Sequence, residues 1–305
     1  MSRVVQFAEY GTPEVLRVVD AEPPVPGPTQ VRIAVRAAGV NPIDWKILSG
    51  QMRQLFPVEL PAGVGSDVAG VVDAVGSEVT EWAVGDEVLG RSMTGSFADY
   101  ALAESDEIVR KPAGVAWEVA GSLAGAGGTA YTVLKKLGVK AGDTLLVHAA
   151  AGGVGTFAVQ LAKAQGVNVV GTAGESNHEY LRSLGATPVT YGDGLLERVQ
   201  AVAPEGVDAV LDASGRGEIP LSIELTGDPS RVLTLVAFDK ADTGIQVHAG
   251  GSGRELGEAL RELATLVAQE RLVVSVSQTY PLADAGAALS ASTTGHVHGK
   301  LVVVP

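Results

Sequence analysis

A glycine-rich turn between an apolar run and a helical pattern is the strongest chemical signal in the sequence. Residues 145–148 are apolar up to His148, the turn Ala149-Ala150-Ala151-Gly152-Gly153-Val154-Gly155 follows, and residues 156–163 have helical spacing. Such a turn lets the backbone approach a pyrophosphate, which the free N–H groups and partial positive charge of a helix N-terminus bind. Strand, turn and helix in this order, with further βαβ units downstream, favour a dinucleotide site. The alternative is a tight turn that binds no ligand.

The end of the next predicted strand bears on the choice between NADPH and NADH. NAD-binding folds place an acidic residue there, about 20 residues after the glycines, to bind the ribose 2′-OH. This strand ends without an acid, and Thr172 and Ala173 offer space and a hydroxyl for a 2′-phosphate, which favours NADPH. No Lys or Arg follows before Arg182. A missing charge-assisted hydrogen bond of roughly 1.5–3 kcal/mol weakens that preference, so NADH remains the alternative.

The elements around this turn alternate between strand and helix. Strands are predicted at residues 144–148, 167–171, 187–190, 207–212 and 231–236, and helices at 154–165, 178–184 and 254–269. Alternation at this spacing predicts βαβ units and a doubly wound parallel sheet.

The two ends of the chain have a different pattern, made of short strand-like runs separated by Pro and Gly. Such runs occupy residues 30–38, 68–75, 87–89, 97–103, 273–276 and 300–304, with a short helix near 282–289. They predict a small β-barrel or sandwich that the C-terminal tail completes. The predicted domains are therefore 1–112 with 273–305, and 113–272.

Composition excludes several classes of function. The net charge of −13 argues against nucleic acid or an anionic membrane as the main partner, because both need a basic surface. The chain has no cysteine, which excludes disulfides and thiolate zinc sites. Its N-terminus has no signal-peptide pattern, and the weakly polar stretch at 119–134 is a poor membrane span. We expect a cytoplasmic protein.

Further motifs lie along the whole chain, at residues 39–46, 65–72, 84–88, 95–100, 150–155, 184–186 and 299–302. Together they resemble the medium-chain dehydrogenase/reductases, specifically the zinc-free quinone oxidoreductase (zeta-crystallin-like) branch. The resemblance implies an α/β protein with a GroES-like N-terminal domain, a Rossmann domain and a catalytic cleft between them. It also implies a homodimer.

The same resemblance bears on metal binding. Zinc-using relatives carry a Cys near the start of the first motif and a His-Glu pair in the second, where this chain has Asn41 and Ser66-Asp67. We therefore predict no metal, with a site of His and carboxylates alone as the remaining alternative.

Site residues follow from the resemblance position by position. It places Asn41 and Asp44 beside the nicotinamide and the substrate, and Lys46 matches a lysine of related enone reductases, so these three are the predicted catalytic residues. Two departures concern the phosphate: the basic residue of many relatives after the second strand is Glu175 or Ser176 here, and an Arg before the final Gly-Lys is His298. The predicted cofactor-binding residues are Asn41, Thr129, Ala150, Gly152, Gly153, Val154, Gly155, Thr172, Ala173, Ser176, Tyr191, Ser214 and His298.

Several of these residues have a purely structural alternative. Asn41 could cap a helix that starts at Ile43, Asp44 could stabilise its first turn, and Lys46 could be a solvated helix residue. Ser214 follows a strand at the sheet edge where cofactors bind in such folds, which favours contact.

Three functions are compatible with these features. The first is an NADPH-dependent oxidoreductase that delivers hydride to a quinone or an α,β-unsaturated carbonyl compound. That reaction builds negative charge on oxygen, and Lys46, Asn41 and the ribose hydroxyl are the candidate donors to it. The alternatives are an enoyl-thioester or biosynthetic tailoring reductase on the same scaffold, and a non-catalytic dinucleotide-binding protein.

Overall fold

The chain forms two compact units in the computed structural model, which describes residues 1–295, 297 and 299–305. The first unit comprises Met1–Gly128 and Ser252–Pro305, and the second comprises Thr129–Gly251. The sequence patterns place the domain boundaries at 112 and 272 instead, and that assignment of domains stays a prediction.

Strands and helices are numbered along the chain. The strands are β1 (Ser2–Phe7), β2 (Arg17–Ala21), β3 (Gln30–Val40), β4 (Ala62–Gly63), β5 (Asp67–Val75), β6 (Glu87–Arg91), β7 (Tyr100–Glu104), β8 (Ile108–Arg110), β9 (Thr144–His148), β10 (Asn168–Thr172), β11 (Thr187–Val189), β12 (Ala209–Asp212), β13 (Val232–Thr234), β14 (Gln246–Val247), β15 (Val276–Pro281) and β16 (Lys300–Val304). The helices are α1 (Pro42–Leu48), α2 (Trp117–Ala120), α3 (Ala124–Leu137), α4 (Gly153–Ala164), α5 (His178–Ser183), α6 (Leu195–Val202), α7 (Ile219–Thr226), α8 (Gly253–Ala268) and α9 (Ala285–Thr293).

The second unit is built on a parallel sheet with the strand order β11-β10-β9-β12-β13-β14. The order reverses at β9, whose Leu145, Leu146 and Val147 are fully buried. Strands covered on both faces are apolar throughout rather than alternating, which is why this run is continuous in the sequence. The predicted doubly wound parallel sheet is confirmed, and the carboxyl ends of its strands meet at one edge.

The first unit contains a sheet with the order β15-β16-β3-β5-β6-β8, and β7 pairs with the long strand β3 as well. Val31, Ile33 and Val35 alternate along β3 and are buried, as their period of two predicts. A smaller sheet has the order β2-β1-β4. At the other end of the chain, β16 pairs antiparallel with β3, with Leu301 opposite Val40.

The C-terminal elements differ most from the sequence expectation. The strand predicted at 273–276 is β15, Val276–Pro281, and the helix predicted near 282–289 is α9, Ala285–Thr293. β15 is the edge strand of its sheet, and residues 277–279 are exposed. An exposed edge strand has no continuous apolar run by which it can be recognised in the sequence. The prediction therefore began at the apolar residue Val273, which lies before the strand and is 61% exposed.

None of the helices in the described part of the chain is both long enough and apolar enough to cross a membrane.

Candidate active site and dinucleotide turn

The glycine turn joins β9 to α4 with backbone contacts that fix its path. Ala149 has a left-handed φ of 56°, and its carbonyl accepts a hydrogen bond from Gly152 N–H at 3.0 Å. A Cβ at position 155 would lie 2.5 Å from Ala149 O and 2.6 Å from Ala150 Cα, so glycine is required there. The N-terminus of α4 has no side-chain cap. Its first N–H groups are therefore available to an anion, as pyrophosphate binding requires.

The side chain of Thr172 contacts this turn. Its side chain is 1% exposed, its hydroxyl accepts a hydrogen bond from Ala149 N–H at 3.2 Å, and the hydroxyl lies 3.4 Å from His148 Nδ1. Ala173 is also buried. The hydroxyl of Thr172 is therefore turned inward onto the turn, and a role for Thr172 in binding the cofactor stays a prediction.

Three of the remaining predicted cofactor residues, Ser176, Tyr191 and Ser214, follow strands of the second unit at the carboxyl edge of its sheet. Ser176 is exposed in the loop after β10, and Tyr191 is 39% exposed after β11. Ser214 follows β12, and its hydroxyl lies 2.6 Å from Glu218 Oε2 and 3.1 Å from Asp212 Oδ1. Thr129 is partly exposed on α3. His298 lies outside the described residues.

In the first unit, Asn41 and Asp44 meet at the start of α1. The helix begins at Pro42, one residue before the predicted start, and Asn41 occupies the N-cap position. The Asp44 carboxylate accepts a hydrogen bond from Asn41 N–H at 2.7 Å. Asp44 thus has the structural role that the sequence left open. The two residues form a capping box, and the Asn41 side chain has a further partner outside the helix.

That partner is Lys300, which the sequence analysis did not select. Lys300 is 4% exposed at the start of β16, and its Nζ donates to Asn41 Oδ1 at 2.5 Å and to Val40 O at 3.2 Å. The sequence marks Lys300 only as the lysine of the final Gly-Lys, at the head of an otherwise apolar strand and 259 residues from its partner. Nothing local in the sequence indicates such a contact.

Asp67 completes this buried group. Its Oδ2 lies 3.7 Å from Lys300 Nζ, and its Oδ1 accepts a hydrogen bond from Gly125 N–H at 2.7 Å. A Cβ at Gly125 would lie 2.7 Å from Asp67 Oδ1 and 2.8 Å from Asn41 Nδ2, so the absence of a side chain there leaves room beside both groups. Asn41 Nδ2 is buried and has no hydrogen-bond partner among the described residues.

Burial dominates the protonation of the two carboxyl groups. It raises the pKa of Asp44 to about 7; the Asn41 N–H bond and Lys300 oppose this rise, and the nearby charge of Asp67 adds to it. Burial also raises the pKa of Asp67, opposed by the Lys300 ammonium. One ammonium therefore faces two carboxyl groups in a water-poor environment, where a second unpaired negative charge is costly.

Lys46 lies on the same helix as Asp44 and is partly exposed. Its Nζ lies 5.6 Å from the centre of the Trp45 ring, and it has no ion-pair partner among the described residues. Partial burial lowers its pKa. Its hydrogen atoms are therefore free to donate to a ligand.

Comparison with known proteins places these features in a family. Residues 27–113 match the family model for the alcohol dehydrogenase GroES-like domain, and residues 184–303 match the model for zinc-binding dehydrogenase. A quinone oxidoreductase from Pseudomonas aeruginosa is 33% identical over the full length of both chains. The chain belongs to the quinone oxidoreductase family.

Solved structures of this family have the same fold. Escherichia coli quinone oxidoreductase, complexed with NADPH, superimposes with a TM-score of 0.89 at 30% identity and full coverage of both chains. A quinone oxidoreductase from Pseudomonas syringae pv. Tomato gives 0.90 at 30% identity, again over both full chains. The resemblance to the quinone oxidoreductase branch and the combination of GroES-like and Rossmann folds are thereby confirmed.

The residues of this chain fit zinc poorly, although one matching family model is named for zinc. The chain offers no thiolate, and in residues 1–295, 297 and 299–305 no group of three or more His, Cys, Asp or Glu side chains could hold a metal ion. At Asn41 and Asp67 the acceptor oxygens already face the Lys300 ammonium. A divalent cation there would meet a fixed positive charge, which argues against it.

Proposed function

We propose that this protein is an NADPH-dependent oxidoreductase that reduces a quinone or an α,β-unsaturated carbonyl compound without zinc. The observation that carries the proposal is the uncapped N-terminus of α4 behind a turn that admits only glycine at 155, in a chain of the quinone oxidoreductase family. The NADPH complex of the E. coli relative supports the choice of cofactor. The cytoplasmic location and the homodimer expected from the sequence belong to the same proposal.

The second unit would hold the dinucleotide at the carboxyl edge of its sheet. The N–H groups of Gly153, Val154 and Gly155 are placed to bind the pyrophosphate, and Ala150 and Gly152 keep side chains small around it. Ser214 and Tyr191 lie at the same edge, where a ribose and an adenine can be contacted. When bound, NADPH supplies the hydride, while the protein orients the cofactor and the substrate and stabilises the transition state.

In the first unit, Lys46 and Asn41 supply donors to the developing oxyanion. Reduction of a quinone or an enone places negative charge on the carbonyl oxygen, and preorganised donors stabilise that charge in the transition state. The Lys46 ammonium has no competing acid, and Asn41 Nδ2 has no hydrogen-bond partner within the described part of the chain. Asp44 holds the turn that carries both residues, through its bond to Asn41 N–H.

The test is oxidation of NADPH and NADH, followed at the nicotinamide absorbance, against quinones, enones and enoyl-thioesters in buffer with a metal chelator. We expect turnover of a quinone or an enone, faster with NADPH, that is insensitive to the chelator. Turnover restricted to enoyl-thioesters would assign the second function considered above. Tight NADPH binding without turnover of any acceptor would make the protein a non-catalytic dinucleotide binder, and loss of activity with chelator would overturn the metal-free reaction.

A further inference from the structure

The loop between β12 and α7 carries an arginine that forms an ion pair with none of the acidic residues the structure describes. Arg216 is exposed, and the Cζ of its guanidinium lies 4.5 Å from the centre of the Tyr191 ring. Within the described part of the chain, this guanidinium makes no ion pair and donates no hydrogen bond. A cation held over an aromatic face is fixed in direction while all of its N–H donors remain free.

Tyr191 connects this arginine to the loop after β10. A Cβ at Gly174 would lie 3.8 Å from the Tyr191 hydroxyl, so the far end of the ring reaches the segment that begins with Gly174. Ser176 lies exposed two residues further on. The loop after the second strand of a dinucleotide fold is where the adenosine ribose is recognised. Arg216 therefore stands beside that region, although it comes from a different strand of the sheet.

A cavity of about 220 Å³ opens at this place, lined by Tyr191, Leu195, Arg216 and Leu221 among others. Its walls combine one aromatic ring, two leucines and one cation, a composition that suits a planar base next to an anion. Glu218 also lines the cavity, but its carboxylate is engaged by the Ser214 hydroxyl at 2.6 Å.

The neighbouring Arg198 does not offer an alternative. Its guanidinium nitrogens donate to the backbone carbonyls of residues 190, 191, 192 and 193, at 2.7–3.4 Å. Those bonds hold the turn after β11 in place and occupy the Arg198 guanidinium.

We propose that Arg216 binds the 2′-phosphate of NADPH and supplies the charge that the loop after β10 lacks. A guanidinium binds phosphate oxygens through two parallel N–H bonds, and the Tyr191 ring holds it in place for this contact. Neither Glu175 nor Ser176 can provide that charge, and Thr172 is turned inward. This inference rests on the proposed function, because it concerns the preference of the same site for NADPH.

The experiment compares binding of 2′,5′-ADP and 5′-AMP by titration calorimetry, since the two ligands differ only in the 2′-phosphate. The intact protein is compared with Arg216→Gln and Arg216→Lys, and with Arg182→Gln as the matched control, an exposed arginine on α5. We expect Arg216→Gln to weaken 2′,5′-ADP binding about 10- to 100-fold and to leave 5′-AMP unchanged. Arg216→Lys should retain part of the preference, and Arg182→Gln should retain all of it.

Other outcomes separate this inference from the proposed function. If Arg216→Gln weakens both ligands equally, Arg216 contacts the base and the inference is overturned. If the variant keeps the full preference for 2′,5′-ADP, another group binds the phosphate, while NADPH dependence itself stands. If the intact protein shows no preference for 2′,5′-ADP, both the inference and the NADPH assignment fail.

Discussion

Lys300 Nζ lies 2.5 Å from Asn41 Oδ1, and this contact fixes the orientation of the Asn41 side-chain amide. An ammonium can only donate, so the amide must turn its oxygen toward Lys300 and its NH₂ group away. That NH₂ group is buried without a hydrogen-bond partner in the described residues. A buried donor in this state costs free energy unless a ligand accepts from it. The lysine thus fixes the Asn41 amide with its donor group on the side away from Lys300, and under the proposed function that group would face the carbonyl compound.

Removing the Lys300 ammonium should disturb both the Asn41 amide and the Asp67 carboxylate, which face it. We expect Lys300→Met to reduce kcat/KM for the carbonyl substrate by about tenfold or more, because the Asn41 amide loses its fixed orientation. The free energy of unfolding should fall by about 3–5 kcal/mol, since Asp67 is left as an uncompensated buried charge. Steady-state kinetics and urea unfolding measure the two effects.

A double-mutant cycle separates two effects of Lys300: its effect on the orientation of the Asn41 amide and its effect on the free energy of unfolding. Asp67→Asn keeps an acceptor for Gly125 N–H but removes the charge, so Lys300→Met/Asp67→Asn should regain stability relative to Lys300→Met alone. Activity should remain low in the double variant, because Asn41 still lacks its donor. Recovery of both properties together would mean that Lys300 acts only on stability.

Asp44 should make the protein less stable as the pH rises toward neutrality. Its folded-state pKa is about 7, whereas an unfolded Asp titrates near 4. Between these values the folded state keeps the proton that the unfolded state has lost, so the contribution of Asp44 is full below about pH 4 and disappears as the pH passes about 7. The difference in unfolding free energy between the intact protein and Asp44→Asn should decline from pH 5 to 7 and level off above pH 8. A difference that grows with pH would contradict the burial argument.

Lys46 should affect catalysis without affecting folding. It has no ion pair among the residues described and is partly exposed, so Lys46→Met should change the free energy of unfolding by less than about 0.5 kcal/mol. Loss of one donor to the oxyanion should lower kcat by about 10²-fold. Lys140→Met, at an exposed lysine of the second unit, is the control and should leave kcat unchanged. Equal rates for both variants would remove Lys46 from the proposed chemistry.

The glycine turn should tolerate no side chain at 155. Gly155→Ala would place a Cβ 2.5 Å from Ala149 O, and we expect a loss of about 1–3 kcal/mol in unfolding free energy together with weaker NADPH binding. Gly174→Ala is the matched control for stability, because its nearest neighbour would be 3.8 Å away and its φ of −68° suits alanine. In thermal unfolding, Gly155→Ala should have a clearly lower melting temperature than Gly174→Ala. Similar melting temperatures would show that the turn can adjust to a side chain at 155.

The parallel sheet and its turn were predictable because their signals are local. β9 has the bounds that the sequence predicts, and α4 begins one residue earlier than expected. A buried strand, a glycine turn and an amphipathic helix each occupy one continuous stretch, so periodicity and glycine positions are sufficient to find them.

The partners of the site residues were not predictable, since they depend on which side chains the sheets bring together. Lys300 reaches Asn41 across 259 residues, through the pairing of β16 with β3. Arg216 reaches Tyr191 from another loop at the same sheet edge. The direction of the Thr172 hydroxyl was not predictable for a related reason: Thr172 ends β10 as expected, but its hydroxyl contacts Ala149 and His148.

The position of β16 also has a consequence for biosynthesis. A ribosome makes the chain from its N-terminus, so every strand of the second unit is synthesised before β15 and β16 of the first. The second unit can therefore fold while Asn41 and Asp67 still lack the lysine that faces them. In a growing polypeptide the N-terminal unit is thus the later of the two to be completed, the reverse of the usual order.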